Sequence, residues 1–138
     1  MAFRPYLAFA GNAREAFTRY QEIFGGDLTL LPMKDVPGEA PPADKADLII
    51  HAALAVGEDL LMASDDPTAD SFGPVRGMMV SYDAADVTDA KRVFDALSDG
   101  GNVRQALEPT FFSEAFGMCV DRFGTPWMVV GPPQQQPS

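Results

Sequence analysis

"EAFTRYQEIFGG" at Glu15–Gly26 and "DAKRVFDALSDGG" at Asp89–Gly101 decide the reading of this chain. Both are amphipathic, both place an aromatic four residues after an alanine, and both stop on paired glycines. The first continues a helical pattern from Gly11, with Ala13, Ala16, Phe17, Tyr20 and Phe24 on one face. Asn12 is its expected N-cap, paired with Glu15 as a capping box. The second has Asp86 as its cap and Ala90, Val93, Phe94 and Leu97 as its buried stripe. Glycine tolerates the left-handed conformation in which helices end, so each pair marks a stop.

Outward from these helices the order of elements repeats. "RPYLAF" precedes the first helix as a strand, and "DLTLLPM", "LIIHAALAV" and "LLMAS" follow it as three more. "RGMMVSYD" precedes the second, and "NVRQALEPTFF", "EAFGMCV" and "PWMVVG" follow. "KDVPGEAPPADKAD" and "DDPTADSFGPV" are rich in Pro and charge and read as loops. The last two strands form a hairpin about an Asp-x-x-Gly turn, Asp121–Gly124. Each half is thus a βαβββ module, too small to be comfortable alone. The expected fold is α+β: two tandem modules forming one curved mixed sheet, helices on its outer face, and a concave pocket on the inner one. A single domain spans 1–131, with module one at about 4–65 and module two at about 75–131, and 132–138 reads as a flexible tail.

Composition narrows the function. The 138 residues carry a net charge of −10, which repels phosphate backbones and anionic lipid, so neither nucleic acid nor membrane is an expected partner. Acidity also keeps a protein soluble. No apolar run approaches the roughly 20 residues of a membrane span. The start "MAFRPYLAFAGN" lacks the features of a secretory signal, and the one cysteine, Cys119, has no partner within the chain. Cytoplasmic localisation is the expectation.

Three segments, "PYLAFAGNAREAFTRYQEIFGG", "HAALAVGEDLLMASD" and "FGMCVDRFGTPWMV", resemble the PhnB-like branch of the vicinal oxygen chelate superfamily. That superfamily includes glyoxalase I, extradiol dioxygenases and bleomycin-resistance proteins, and the likeness runs from Pro5 to Val130. Members of the branch are often labelled demethylubiquinone methyltransferases. This sequence has no glycine-rich cofactor loop after its first strand and no doubly wound pattern, so that label is not expected to apply.

The resemblance implies a homodimer and, in metal-dependent members, four ligand positions. The glutamate that follows the late Asp-x-x-Gly turn corresponds to Met128. The first-strand ligand falls near Pro5 or Tyr6, the ligand opening the second module near Gly77 or Met78, and the fourth-strand ligand near Met62. A thioether does not replace a carboxylate for a hard divalent metal. No cofactor is therefore expected, although a divalent metal held by other residues stays open.

His51, the only histidine, sits mid-strand in "LIIHAALAV". Alternation puts it with Ile49, Ala53 and Ala55 facing the cavity, while Leu48, Ile50, Ala52, Leu54 and Val56 pack on the helices. Its imidazole suits a general base or a ligand-orienting donor, and the alternative is a structural histidine bonded across the sheet. Met62, Met79 and Met128 read as a polarisable lining of the pocket or else as core filling. Phe111 and Phe112, with Phe116, stand near Glu114 at the expected pocket mouth, to stack on a planar ligand and meet a cation; the alternative is a buried aromatic cluster. Trp127, of opposite parity to Met128, reads as core. Asp65 and Asp66 form either a shared-proton pair or a turn cap. Three functions follow as expectations: a metal-free binder of a small, partly apolar or planar molecule; a lyase, isomerase or oxygenase using His51; or a structural dimer with a vestigial pocket.

Overall fold

The computed structural model describes residues 1–135 apart from Glu39 and Pro74. One compact unit runs Met1–Gly73 and a second covers the rest of the chain. The expected sheet is built as two four-stranded mixed sheets, one per unit.

The first unit comprises β1 (Tyr6–Phe9), α1 (Ala13–Phe24), β2 (Asp27–Pro32), β3 (Ile49–Val56) and β4 (Asp59–Asp65). Its strand order is β1-β4-β3-β2, with β1 parallel to β4 and the other pairs antiparallel. The second comprises β5 (Val80–Asp83), α2 (Val87–Ser98), β6 (Asn102–Glu108), β7 (Phe116–Val120) and β8 (Pro126–Val130). Its order, β5-β8-β7-β6, with β5 parallel to β8, repeats the first. "RGMMVSYD" becomes a strand only at Val80, because Gly77 turns the chain at φ 80 and Arg76–Met79 find no ladder partner. The loop after β2 is not featureless: Met33–Asp35 and Ala43–Lys45 each make a short 3-10 turn.

Each helix buries one stripe on its own sheet. In α1 the buried residues are Ala13, Ala16, Phe17, Tyr20 and Ile23; Ile23 takes the place expected for Phe24. Phe17 meets Phe9 and Tyr20 edge-on, at centroid distances of 6.2 and 5.4 Å. In α2 the stripe is Ala90, Val93, Phe94 and Leu97, packed on β6, β7 and β8. Burying each large side chain stabilises its unit by about 1.5–3 kcal/mol. Trp127 is buried, as its parity predicts.

The paired glycines do the same work in both units. A Cβ on Gly26 would overlap the carbonyl oxygen of Ala55 on β3, and one on Gly101 would overlap that of Val120 on β7. The chain leaving each helix therefore passes so close to its third strand that only glycine fits.

The helix starts differ. Asp86 caps α2 as expected, accepting from the Asp89 backbone N–H at 2.7 Å. Asn12 makes no side-chain cap on α1. Asp65, at the end of β4, accepts there instead: from Gly11 and Ala13 N–H at 3.1 and 2.9 Å through Oδ1, and from Ile49 N–H at 2.8 Å through Oδ2. Asp66 accepts from the backbone and hydroxyl of Thr68. These bonds hold the Asp66 carboxyl below the usual carboxylate range. The two neighbours are thus engaged separately and do not form a shared-proton pair.

The tail behaves in two parts. The Pro132 carbonyl accepts from Glu114 N–H at 2.8 Å, and Gln134 donates to the Thr110 and Ser113 carbonyls at 3.0 and 3.2 Å. The tail's last residues, 136–138, lie outside the described residues.

Candidate functional site

Every strand that packs a helix has a second face, and cross-strand register says which residues share it. In the first unit Tyr6 pairs with Met62, Met62 with Ala53, and Ala53 with Thr29. One row along, Ala8 pairs with Ser64, and His51 with Leu31. Ala52 and Leu54 are buried under α1, so His51, Ala53 and Ala55 stand on the open side. The expected alternation fails at one end of β3. A bulge opposite Leu31 and Pro32 inserts Ile50, which turns Ile49 into the core at 1% exposure and leaves Ile50 at 39%.

The open face of this unit holds one polar contact of note. The Tyr6 hydroxyl lies 3.2 Å from His51 Nδ1, with ring centroids 5.9 Å apart and planes tilted by 35°. Tyr6 is 51% exposed. Sequence reading placed a ligand position near Pro5 or Tyr6 but did not join it to His51. The signal is the offset of the strands: β1 and β3 both flank β4, and only the register shows that Tyr6 and His51 meet across it.

In the second unit Ser81 pairs with Met128, Met128 with Met118, and Met118 with Gln105. The next row is Asp83, Val130, Phe116 and Glu108. Met128 therefore holds the place that Met62 holds in the first unit, and Phe116 the place of His51. Met79 stands just ahead of β5 at 41% exposure, outside the ladder.

The segment before β7 turns its aromatics outward. Phe111 and Phe112 lie edge-on at 5.2 Å, and Phe112 and Phe116 at 5.1 Å. Phe111 is 93% exposed and Phe112 45%, so this cluster is not the buried one that served as the alternative reading. Its loop is held from beneath by Ser113, fully buried, whose hydroxyl lies 2.8 Å from the Ala115 carbonyl and 3.1 Å from that of Gly131. Glu114 is half-buried and takes part in none of the ion pairs among the described residues.

The late Asp-x-x-Gly turn proves to be a support for this frame. Asp121 is buried, and its Oδ1 accepts from Phe123 and Thr125 N–H, each at 2.9 Å. Its Oδ2 accepts from the Trp127 indole N–H at 2.8 Å. A buried carboxylate needs such donors, and here they fix the hairpin and the core tryptophan together. On β7, Cys119 is buried behind the open face, and burial, with Asp121 nearby, pushes its thiol up to about 11. Tyr82 ties β5 to α2 by donating to Asp89 Oδ2 at 2.6 Å. Burial and that bond push the Tyr82 phenol up to about 12, and the Tyr82 and Arg92 donors hold Asp89 low.

Of the positions at which the resemblance expects metal ligands, Tyr6 faces Met62 in the first unit, Met128 faces Ser81 in the second, and Met78 stands 62% exposed ahead of its strand. Neither a phenol with a thioether, in the first unit, nor a hydroxyl with a thioether, in the second, is a donor set for a hard divalent cation. Among the described residues no three His, Cys, Asp or Glu side chains gather as a metal site. The residues present do not fit the group.

Comparison with known proteins agrees with this frame. Residues 1–130 match the family described as 3-demethylubiquinone-9 3-methyltransferase. The chain is 32% identical to Protein YjdN of Escherichia coli, over 94% of both chains. Protein PA1353 from Pseudomonas aeruginosa is 44% identical, with a TM-score of 0.86 over 95% of this chain and 97% of that one. A PhnB protein from Bacillus cereus, titled a putative 3-demethylubiquinone-9 3-methyltransferase, superposes at 0.74 with 21% identity over 96% of this chain and all of its own. The fold is also that of a glyoxalase/bleomycin resistance protein/dioxygenase family enzyme from Burkholderia phytofirmans, at 0.61 with 12% identity over 94% of this chain and 98% of that one. No helix among the described residues is long and apolar enough to cross a membrane. With its duplicated βαβββ units and a family match over nearly its whole length, the chain belongs to the family described as 3-demethylubiquinone-9 3-methyltransferase.

Proposed function

We propose that this protein binds a small, partly apolar or planar molecule on the open faces of its sheets, without the metal usual in the superfamily. The observation that carries the reading is the chemistry of those faces. A sheet face turned to water is ordinarily polar, yet here Tyr6, Leu31 and Ile50 stand 51, 38 and 39% exposed, and Phe112 45%. Met62 and Met128 add polarisable surface that adapts to varied ligands. His51 supplies a directional polar contact in the first unit, and Glu114 beside Phe112 supplies a carboxylate for a cationic group in the second.

The methyl transfer in the family's description gains no support from the site. The sequence lacks a glycine-rich loop after its first strand, and each unit has one helix on a mixed sheet. A thermal-shift screen of aromatic, cationic and quinone-like compounds in the presence of a chelator tests the proposal. The expected result is saturable stabilisation by at least one planar class, reduced in His51→Ala. A screen with no stabilising compound would remove the proposal's support.

A second reading, an enzyme in which His51 moves a proton, is favoured by the Tyr6–His51 contact alone. It requires that His51→Ala abolish turnover while the fold is kept.

A further inference from the structure

We propose that Tyr6 fixes the tautomer of His51, so that the open face of the first unit presents an N–H donor to a ligand bearing an acceptor oxygen on a planar apolar body. The inference rests on the binding reading above and names its ligand class.

A neutral imidazole has one N–H donor and one lone-pair acceptor, and the bond made by one nitrogen settles the state of the other. The Tyr6 hydroxyl lies 3.2 Å from Nδ1. A phenol O–H is a good donor and an imidazole lone pair a good acceptor, so the favourable pairing has Tyr6 donating to Nδ1. The proton of the neutral ring then sits on Nε2. No described residue makes a hydrogen bond to Nε2, so this N–H is open to a ligand, on a face that also carries the Ser64 and Thr29 hydroxyls.

The surroundings define what it meets. Ala53 and Ala8 leave room on the same face, and Met62 and Leu31 border it with apolar surface. A ligand that seats there covers the N–H and must offer it an acceptor, since a buried donor left unpaired costs about 1–3 kcal/mol. A carbonyl or phenolic oxygen on an aromatic ring meets both demands. The same tautomer disfavours a metal at Nε2, where coordination needs the lone pair.

Because His51 is the single histidine, its ring nitrogens are assigned without ambiguity. Long-range proton–nitrogen correlation spectra of labelled protein at about pH 8, where imidazole is ordinarily neutral, compare the wild type with Tyr6→Phe. The wild type is expected to show Nε2 as the protonated nitrogen and Nδ1 as the lone-pair nitrogen. Tyr6→Phe, which removes only the hydroxyl, is expected to give a mixture of tautomers. A protonated Nδ1 in the wild type, or an unchanged spectrum in Tyr6→Phe, overturns the proposal. A purely structural role for Tyr6 would leave the tautomer in place.

The ligand arm uses 2-acetylnaphthalene against 2-ethylnaphthalene, similar in size but differing in the acceptor oxygen. The ketone is expected to bind about fivefold or more tightly, a preference worth about 1 kcal/mol and lost in Tyr6→Phe. Equal affinities would overturn the ligand class and leave the binding reading standing. Binding of neither probe would count against the binding reading, and the nitrogen spectrum would still decide the tautomer.

Discussion

The two units of this chain are the same device built twice, and they differ where a buried carboxylate is spent. In the first, Asp65 at the end of β4 ties the start of α1 to the start of β3 through three backbone N–H groups. In the second, α2 is capped by its own Asp86, and the buried carboxylate is Asp121, which ties the β7–β8 turn to Trp127. The open faces diverge in the same manner: Tyr6 and His51 occupy the first, Ser81 and Phe116 the corresponding places in the second. The helix stops coincide at Gly26 and Gly101, each passing against a strand carbonyl, whereas the open faces carry different chemistry in the two units.

Removing the two carboxylates should have the largest effect. Asp121→Asn puts an amide NH2 where an acceptor is needed, against either the Trp127 indole or a backbone N–H. It is expected to cost about 2–3 kcal/mol, read as a lower urea midpoint. Trp127, the only tryptophan, reports the loss by a red shift of its fluorescence. Asp65→Asn should cost about 2 kcal/mol by the same logic, with the tryptophan environment of the folded protein unchanged. A red-shifted folded state in the Asp65 variant would break the separation drawn between the two carboxylates.

The glycine pairs should come next. Gly26→Ala and Gly101→Ala each press a methyl onto a strand carbonyl and are expected to cost about 2 kcal/mol or more, with the larger loss at Gly26, which also sits at φ 87. Gly25→Ala, at φ 74 and ψ −157 with no atom near its Cβ, should cost backbone strain alone, about 1–2 kcal/mol. Equal losses at Gly25 and Gly26 would show that conformation rather than close approach selects glycine there.

The smallest effect belongs to the second unit alone. Tyr82 is held protonated in the folded chain, chiefly by burial and then by Asp89, with its pKa raised from 10.0 to about 12. A group raised in this way contributes stability that is complete below pH 10.0 and fades as pH rises through about 12. Wild-type stability should therefore fall across that window, and Tyr82→Phe should flatten the fall. An equal slope in the variant would assign the loss to other groups.

The sequence made much of this frame legible. Period and paired glycines located both helices, the stripe of α2 and the core position of Trp127. Two features escaped for physical reasons. The cap of α1 comes from Asp65, fifty-two residues from Ala13 in sequence, and local capping rules see only neighbours such as Asn12. The parity of β3 breaks at Ile50 because of a bulge, which depends on how β2 and β3 pair and leaves no mark in alternation. The candidate site was legible as single residues: His51, Met62 and Met128 carry their chemistry in their names. Their partners were not, because the Tyr6–His51 contact and the Ser81–Met128 pairing exist only once strand register is known.

The central claim is that the face bearing Tyr6 and His51 binds a planar ligand without a metal. The most direct measurement is a titration of chelator-dialysed, untagged protein with 2-acetylnaphthalene, followed at the His51 ring nitrogens, with metal content read by elemental analysis on the same sample. The account predicts a saturable shift of the His51 resonances in protein free of stoichiometric metal. A shift that appears only after a divalent cation is restored, or saturable binding that leaves His51 unmoved, would contradict it.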